Sequence, residues 1–530
     1  MKNSKTLPVL LCDYYKLAHR VQYPNGTDFV YDNFIPRKSL LSGIDKVVVY
    51  GLQAYIQEYL VEYFNEEFFN KDISEITASY TRTLKHTLFV DEVDTKHIEE
   101  LHELGYLPIE IKAIPEGTLV PLGTPILTLE NTDKRFFWLP GFLETQLSSE
   151  LWQPATAATI AREYKKILNG FADATVGNRE HVPFQAHDFS FRGMEGVAGA
   201  TKSGMGHLTS FVGTDSIPSI DGMEYYYQAD IEKELVGTSI PATEHSVMCA
   251  HGQDELETFR TLITDVYPAG FVSIVSDTWD FWNVVGTVLP QLKDAIMARD
   301  GKVVIRPDSG VPEDIVCGSI KAVFKNVQEL LQANYKGKAY IQNKGSYVIV
   351  NGDVVDEYTP TLEEQGLVAS LFDLFGGTTN SLGFKELDSH IGAIYGDSIT
   401  LVRCEEICRR LKEKGFASSN IVFGVGSFTY QYNTRDSLGF AMKATWTEVN
   451  GEEKMIFKAP KTDSSKNSLR GRVVVYNENG EIKFRDGLVK ATEKEFEKEV
   501  DSLFETVFLD GKVTKTYSLG EIRQRIEDSI

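Results

Sequence analysis

The chain has 530 residues, 42% hydrophobic and 25% charged, which is ordinary for a globular protein with room for more than one domain. Its formal net charge of −22 argues against nucleic-acid binding, because phosphate contacts need a basic face. No apolar run approaches a membrane span, and the early run "LPVLLC" is too short for a signal sequence. The five cysteines are scattered and have no CxxC spacing, so we expect reduced thiols in a cytoplasmic protein. Together with the charge and the short apolar runs, this predicts neither membrane nor nucleic-acid partners.

The first part of the chain, residues 1–183, mixes extended and helical signals. The stretch from Leu107 to Asp133 alternates apolar and polar residues, with proline and glycine where turns are needed. It predicts several antiparallel strands that form an open sheet outside any barrel.

From residue 184 to residue 427, short apolar runs alternate with helix-like segments. Strands alternating with helices indicate a parallel sheet, and six or seven such units fit either a closed α/β barrel or a doubly wound sheet. Each run ends in a polar residue or a glycine. These ends are Asp188, Asp215, Asp277, Asp308, Asp397 and Gly426.

The carboxyl ends of barrel strands open onto one face, which is where such enzymes keep their active sites. One aspartate after a strand is usually the N-cap of the next helix. Five of them, with His245 and Arg306 in matching positions, are too many for capping alone. His245 follows Glu244 at a strand-to-helix corner after Pro241, although these residues alone favour a structural histidine.

Several short motifs suit a phosphorylated sugar that meets a flat ring. In "IRPDSG", Arg306 offers a planar fork for phosphate or carboxylate, and Asp308 could accept from sugar hydroxyls or hold a metal. In "HDFSFRG", Arg192 lies beside Phe189. The glycines of "YGD" and "FGVGS" could let backbone amides approach a phosphate, although neither a dinucleotide fingerprint nor a P-loop is present.

Two later segments have a different character. Residues about 333–375 form an extra segment that predicts a surface hairpin, to which we assign no function. Residues 428–530 predict β-hairpins with turns at "VNGEE" and "NENGE". Residues 454–472 carry six basic residues against Asp463: Lys454, Lys458, Lys461, Lys466, Arg470 and Arg472. This excess fits either an anion site or a solvated loop.

The motifs together resemble those of the nicotinamide phosphoribosyltransferases, which are type II phosphoribosyltransferases. The resemblance runs nearly end to end, through "LLCDYYKLAH", "HDFSFRG", "GTDS", "IPATEHS", "VSDTWD", "IRPDSG", "NTRDSLGFAMK" and "GKVTKTYS". It implies an irregular α/β barrel (184–427) and a second, mainly β domain of the α+β type, built from residues 1–183 and 428–530.

The resemblance also implies the reaction. Nicotinamide and 5-phosphoribosyl 1-pyrophosphate would give nicotinamide mononucleotide and pyrophosphate, with Mg²⁺ and with ATP as a coupled co-substrate. His245 would be phosphorylated during ATP coupling, and Glu244 would either orient its imidazole or complement the start of a helix. Mg²⁺ would be held mainly by the substrate, with Asp277 and Asp308 as its protein ligands.

The resemblance assigns further residues to the two substrates. Phe189, and Tyr15 of the partner subunit in a homodimer with shared active sites, would sandwich nicotinamide, while Asp215 would accept from its carboxamide. Arg306 would contact both the ring side and pyrophosphate, and Asp308 the ribose. The other residues implied for 5-phosphoribosyl 1-pyrophosphate are Arg192, His245, Gly396, Asp397, Gly426, Ser427, Arg435, Lys443, Lys458 and, from the partner, Arg37. Ser427 stands where the family has a glycine.

Three alternative functions and two alternative residue roles remain open at this point. A nicotinate phosphoribosyltransferase would have the same fold, but Asp215 would repel the carboxylate of nicotinate. Asp215 could instead be a helix N-cap. A non-catalytic paralogue should have lost site residues, and an unrelated phosphosugar enzyme leaves "EHS" and "NTRD" unexplained. Tyr15 and Arg37 could also pack within their own chain.

Overall fold

The computed structural model describes residues 5–352, 354–396, 398–458 and 468–530. Asp397 and, in the basic stretch, Lys461, Asp463 and Lys466 lie outside these ranges. The chain divides into two compact units. Unit 1 comprises Met1–Thr159, Asp221–Glu232 and Asn433–Ile530, and unit 2 comprises Ile160–Ile220 and Lys233–Tyr432. Among the described residues, no helix combines the length and hydropathy that crossing a bilayer requires.

Unit 2 contains the predicted parallel sheet. Its strands are β1 (Ala186–Asp188), β2 (Gly213–Thr214), β3 (Val272–Val275), β4 (Val303–Arg306), β5 (Ile391–Tyr395) and β6 (Ile421–Val425). They pair in the order β2-β1-β6-β5-β4-β3, and every pairing is parallel. All four residues of β3 are buried, in keeping with its valine and isoleucine content and with the covered faces of parallel sheets.

An extended segment, residues 238–243, bridges the two edge strands of this sheet. Thr238 makes a parallel bridge to Gly213 in β2, and Ala242 makes one to Ser273 in β3. The amide of Thr214 donates to the Thr238 carbonyl at 3.0 Å, and that of Ser273 to the Pro241 carbonyl at 2.8 Å. We refer to residues 238–243 as the seam segment. His245 begins the helix that follows it.

Helices connect the strands of unit 2, as the alternating pattern predicts. The segment 281–297 is continuously helical, and the helix Leu401–Glu413 ends before Gly415, which has a φ of +79°. The α-helices and π-turns of unit 2 are Gly196–Leu208, His245–Ala250, Glu255–Thr261, Leu262–Val266, Phe281–Asn283, Val284–Val288, Leu289–Met297, Pro312–Cys317, Val327–Gln332, Leu362–Gln365, Leu367–Phe375, Leu401–Glu413 and Ser427–Tyr430.

The extra segment is larger than the surface hairpin that its sequence predicts. Its strands belong to a four-stranded sheet: Val323–Phe324, Gly337–Ile341, Ser346–Asn351 and Val354–Tyr358. This sheet has a buried core of Leu330, Ala339, Ile341, Val348 and Val350. The hairpin prediction was incomplete because the first strand and the helix Val327–Gln332 come from residues before the segment. A second pair, Gly377–Thr379 with Lys385–Leu387, follows it.

Unit 1 is mainly β. An antiparallel seven-stranded sheet runs in the order Glu452–Met455, Phe440–Val449, Thr27–Pro36, Leu127–Asn131, Ile109–Ala113, Glu505–Leu509, Lys512–Val513. The antiparallel strands predicted between Leu107 and Asp133 are therefore confirmed. Smaller sheets pair Lys46–Val48 with Leu119–Pro121, and Arg472–Glu478 with both Glu481–Leu488 and Asp501–Ser502.

Both predicted Asn-Gly turns are present in unit 1. Asn450 and Gly451, and likewise Asn479 and Gly480, have the positive φ values that tight hairpins need. The helices that lie in this unit are Lys16–Gln22, Leu52–Tyr55, Ile56–Tyr63, Asn65–Phe69, Ile73–Leu88, Lys96–Leu104, Lys490–Glu499 and Leu519–Asp528. Leu139–Thr175 and Ile217–Tyr227 have residues in both units.

Candidate active site

The first part of the site surrounds the carboxylate of Asp215, directly after β2. His187 Nε2 lies 2.8 Å from Asp215 Oδ1, and the Ser239 hydroxyl donates to the same oxygen at 2.6 Å. Burial raises the pKa of Asp215, but the hydrogen bonds from His187 and Ser239 outweigh it and leave the pKa below its usual value. Both hydrogen bonds are accepted by Oδ1. Because the ionised carboxylate is half exposed, its other oxygen, Oδ2, can accept a hydrogen bond from a ligand.

An aromatic ring lies beside this carboxylate. Phe189 follows β1, and its ring centroid is 4.6 Å from that of His187. Its amide donates to the carbonyl of Val425 in β6 at 2.9 Å, which fixes the backbone behind the ring. Phe189 and Asp215 therefore both contact His187 at one end of the sheet.

The second part of the site surrounds His245. Its Nε2 lies 3.7 Å from Asp277 Oδ1 and 3.9 Å from Asp308 Oδ2, while its Nδ1 lies 3.3 Å from the Thr278 hydroxyl. The Asp308 amide donates to Asp277 Oδ2 at 3.1 Å. Glu244 does not hold the imidazole in this structure, because its carboxylate accepts from the Ser246 hydroxyl. The imidazole is about half exposed and therefore reachable by a ligand.

Arg306 links the two parts. Its Nη2 donates to the Thr243 carbonyl at 2.6 Å, and its Nε lies 3.5 Å from Asp308 Oδ1. The guanidinium is mostly buried at the end of β4. It is therefore fixed between the seam segment and the carboxylate that faces His245.

Two glycines allow these groups to lie close together. A Cβ on Gly396 would lie 2.0 Å from Asp308 Oδ1, and a Cβ on Gly424 would lie 2.8 Å from Phe189 Cδ2 and 2.9 Å from the Gly396 backbone. Such distances are below any real Cβ contact, so a larger residue at either position would displace the neighbouring group. This close approach explains the two glycines without any need for a positive φ.

The remaining predicted residues of unit 2 lie on loops after β1 and β6. Arg192 is exposed in the turn Phe191–Gly193. Gly426 precedes the short helix Ser427–Tyr430, and the Ser427 hydroxyl lies against Gly193, where a Cβ would be 2.0 Å away. The serine that replaces the glycine of the family therefore packs on a glycine of another loop.

Five predicted residues belong to unit 1. Tyr15 is exposed, with Lys16 Nζ 5.5 Å from its ring centroid. Arg37 Nε donates to the Gly439 carbonyl at 3.2 Å, and Lys443 Nζ lies 3.5 Å from Glu144 Oε1. Arg435 Nη2 lies 3.4 Å from Asp436 Oδ1. Lys458 is exposed, and its amide donates to the Ser468 hydroxyl at 2.8 Å.

A cavity of about 1130 Å³ in unit 2 contains the Asp215 part of the site. His187, Phe189, Asp215, Ser239 and Arg306 line it near the carboxyl ends of the strands. The lining continues to residues that precede the strands, namely Asn178, His181, Lys302, Glu386 and Asp388. The cavity therefore runs along the inner strands from one end to the other and is large enough for a small aromatic ligand.

Sequence reasoning missed three residues of the site: His187, Ser239 and Thr278. His187 could have been found, because it lies two residues before Phe189 and so on the same side of the extended chain. Ser239 reaches Asp215 only because the seam segment pairs with β2, and no local pattern announces that pairing. Thr278 stands in the motif "VSDTWD", but only the fold brings it to His245.

The chain matches two protein families over most of its length. Residues 184–510 match the nicotinate phosphoribosyltransferase (NAPRTase) family, and residues 8–111 match the nicotinamide phosphoribosyltransferase N-terminal domain. A nicotinamide phosphoribosyltransferase of Acinetobacter baylyi is 45% identical, over 99% of this chain and 97% of its own. The chain belongs to the nicotinamide phosphoribosyltransferase family.

Other members of the nicotinamide phosphoribosyltransferase family are more distant. The protein of that name from Mycoplasma pneumoniae is 32% identical, over 89% of this chain and 96% of its own. Among solved structures, a nicotinate-nucleotide pyrophosphorylase from Pyrococcus furiosus superposes with a TM-score of 0.53 at 14% identity, over 100% of this chain and 98% of that chain. At that identity the similarity speaks for the fold alone. Members of the nicotinamide phosphoribosyltransferase family are pentosyltransferases.

Proposed function

We propose that this chain transfers the 5-phosphoribosyl group of 5-phosphoribosyl 1-pyrophosphate to nicotinamide, giving nicotinamide mononucleotide and pyrophosphate. The observation that carries the choice of base is the ionised carboxylate of Asp215 beside the Phe189 ring. An anionic acceptor attracts the amide N–H of nicotinamide and repels the carboxylate of nicotinate. The relatives that are nicotinamide phosphoribosyltransferases support the same choice.

In this proposal, Phe189 packs on the pyridine ring and Asp215 Oδ2 accepts from the carboxamide. The ring nitrogen of nicotinamide forms a bond to ribose C1, and the bond from C1 to the pyrophosphate oxygen breaks with its electron pair going to pyrophosphate. Nicotinamide is a weak, neutral nucleophile, so positioning against the ring contributes much of the rate. Arg306 and Arg192 neutralise charge on the leaving group, and Asp308 accepts from ribose hydroxyls.

The residues proposed for the phosphates complete this site. Gly396, Asp397, Gly426, Ser427 and Arg435 would hold the 5′-phosphate side, and Lys443 and Lys458 would add positive charge. Tyr15 and Arg37 would come from the second subunit of a homodimer, in which each chain completes the other's site. We also propose a cytoplasmic location, which agrees with the five free cysteines.

Asp277 and Asp308 fit a role in binding Mg²⁺. The Asp277 side chain is only 4% exposed, and its Oδ1 has no hydrogen-bond partner among the described residues. Across those residues, no group of three or more histidine, cysteine or carboxylate side chains is arranged for a metal. Mg²⁺ usually takes one or two carboxylates and completes its shell with substrate phosphates and water, which agrees with this pair. When bound, the ion would stabilise charge on the departing pyrophosphate.

His245 is our proposed acceptor of the γ-phosphoryl group of ATP. Its Nε2 faces two carboxylates, which favours the proton on that nitrogen and leaves the lone pair on Nδ1, beside Thr278. Attack by Nδ1 on the γ-phosphorus would form the N–P bond and release ADP. The half-exposed imidazole and its polar neighbours support this role over that of a structural histidine.

We further propose that the parallel sheet of unit 2 forms an irregular α/β barrel. The seam segment supports this, because its bridges to both edge strands give each strand of the sheet two neighbours.

The function is tested by offering nicotinamide, nicotinate and quinolinate separately to the purified protein with 5-phosphoribosyl 1-pyrophosphate and Mg²⁺. Mononucleotide formed from nicotinamide, with far less from the two acids, is the expected result. Preference for nicotinate would assign the chain to that enzyme instead.

The ATP role has its own test. Incubation with γ-labelled ATP should leave an acid-labile, base-stable phosphate on the wild-type protein and none on His245→Ala. His251→Ala is a matched control, because His251 is an exposed histidine near the end of the same helix. Label that persists in His245→Ala would refute the assignment.

A further inference from the structure

A strained residue after β5, Ser398, is supported by an arginine. Ser398 has a φ of +50°, in the left-handed region that residues with a Cβ seldom adopt. Arg403 Nη1 donates to the Ser398 carbonyl at 2.7 Å and to its hydroxyl at 2.8 Å. The Arg403 guanidinium therefore binds both the carbonyl and the hydroxyl of the left-handed Ser398.

The same arginine is tied to the turn after β4. Arg403 Nε lies 3.6 Å from Glu313 Oε1, in the helix Pro312–Cys317 that follows the Asp308 turn. Two further bonds join these turns. The Gly396 amide donates to the Pro307 carbonyl at 3.3 Å, and the Tyr395 hydroxyl donates to the Gly310 carbonyl at 3.2 Å.

Arg403 itself is held by the helix on which it lies. It is the third residue of Leu401–Glu413, and its amide donates to the side chain of the N-cap residue, Thr400, at 3.3 Å. The side chain thus extends from a rigid helix start back to Ser398.

We propose that Arg403 is a positioning residue for 5-phosphoribosyl 1-pyrophosphate. It stabilises Ser398 in its left-handed conformation and, through Glu313, ties this residue to the helix that follows the Asp308 turn. The inference rests on the proposed function, which assigns Gly396 to the phosphoribosyl side of the site. A guanidinium suits this role because it has several donors in a fixed plane, whereas a lysine offers a single flexible ammonium.

The test uses the fact that glycine adopts a left-handed φ without strain. Arg403→Ala should raise the KM for 5-phosphoribosyl 1-pyrophosphate about tenfold, the order expected when one strained turn loses its support. The KM for nicotinamide should not change. Adding Ser398→Gly to Arg403→Ala should recover most of the loss, because the turn no longer needs the arginine.

Two comparison variants sharpen the result. Arg403→Lys should lie between wild type and Arg403→Ala. Arg409→Ala removes an exposed arginine of the same helix, whose ion pairs within the described residues are with Glu406 and Glu413, and it should behave as wild type. An unchanged KM in Arg403→Ala, or a double variant as impaired as the single one, would overturn the proposal.

A failed site assignment can be told apart from a failed inference. If Gly396→Ala leaves the KM for 5-phosphoribosyl 1-pyrophosphate unchanged, the assignment of this turn to that substrate is wrong. The support by Arg403 is then judged by thermal unfolding alone. Arg403→Ala should lower the midpoint more in the wild-type background than in the Ser398→Gly background, and equal losses would refute the support as well.

Discussion

Two neighbours determine the charge and the available oxygen of the Asp215 carboxylate. His187 and Ser239 both occupy Oδ1, keep the carboxylate ionised and leave Oδ2 for the ligand. We predict that Asp215→Asn weakens nicotinamide use by roughly 1–3 kcal/mol in kcat/KM, the usual value of a hydrogen bond to a charged group. The same change should relax the rejection of nicotinate, since the repelling charge is gone.

The measurement is kcat/KM for nicotinamide and nicotinate in wild type and variant. Asp265→Asn, at an exposed aspartate elsewhere in unit 2, is the control and should alter neither value. If the variant keeps both the wild-type kcat/KM for nicotinamide and the wild-type preference for nicotinamide over nicotinate, Asp215 does not determine which base is used.

Asp32 is a buried acid that makes stability depend on pH. Burial, reinforced by the Glu144 carboxylate and opposed by Lys16 and Lys443, raises its pKa from 3.8 to about 7. Its Oδ2 has no hydrogen-bond partner within the described part of the chain. Because the folded pKa is raised, its contribution to stability is fully present below pH 3.8 and is lost as the pH rises toward 7.

We therefore predict that Asp32→Asn gains stability relative to wild type as the pH rises. Between pH 5 and pH 8, the difference in free energy of unfolding should move in favour of the variant by about 2–3 kcal/mol. Urea unfolding at the two pH values measures it. Asp28→Asn, on the same strand but partly exposed, should show a much smaller shift. A difference for Asp32→Asn that is equal at both pH values would contradict the assignment.

At the scale of elements, Gly424 in β6 leaves room for the ring of Phe189, which follows the neighbouring strand β1. Gly424 stands where a Cβ would meet Phe189 Cδ2 at 2.8 Å. We predict that Gly424→Ala raises the KM for nicotinamide by about tenfold, because the displaced ring loses about 1.4 kcal/mol of contact with the base. Initial rates at saturating 5-phosphoribosyl 1-pyrophosphate measure this.

Gly392→Ala on β5 is the matched control for that glycine. A Cβ there would come closest to Lys302 Cδ, at 3.1 Å, and would lie at ordinary contact distance, 3.7 Å, from Val304 Cγ2. The flexible lysine side chain can shift. If both variants raise the KM equally, crowding of the sheet in general, rather than displacement of Phe189, is responsible.

The sequence predicted the strands of the sheet better than it predicted which segments pair with them. Apolar runs that end in Asp188, Asp277 or Asp308 announce strands because burial and strand period are local properties. The seam segment, by contrast, pairs with β2 and β3 through only two bridges, and no alternation marks it. Hence Phe189 and Asp215 could be predicted as neighbours, whereas the Ser239 bond to Asp215 could not. The four-stranded sheet was underestimated for the same reason, since its first strand is two residues long.

At the scale of the whole molecule, the predicted homodimer has a sharp test. Arg37 belongs to unit 1 and His245 to unit 2, and our proposal places them in one site from different subunits. Arg37→Ala and His245→Ala should each be nearly inactive in ATP-coupled synthesis as homodimers. Random pairing of the two should restore about a quarter of wild-type sites, because each mixed dimer has one site with both changes and one with neither.

The control is a mixture of His245→Ala with Arg306→Ala, because both residues belong to the unit 2 cluster of one chain. Every site then keeps one lesion, so no activity should return. A lack of recovery in the Arg37 mixture, with mixed dimers verified by differently tagged subunits, would show that Arg37 does not act across subunits.

The weak pairing of the seam segment predicts that this segment unfolds before the rest of the sheet. Single bridges join it to β2 and β3, whereas β5 and β6 share three residue pairs and β3 and β4 share four. We therefore expect opening at the seam segment to need less free energy than opening between those strands. Amides of residues 238–243 should exchange with deuterium well before those of β5 and β6. Ser239 lies within this segment and His245 directly after it. Mild denaturant should therefore abolish base discrimination and phosphoryl acceptance at one concentration, while the sheet itself is still folded.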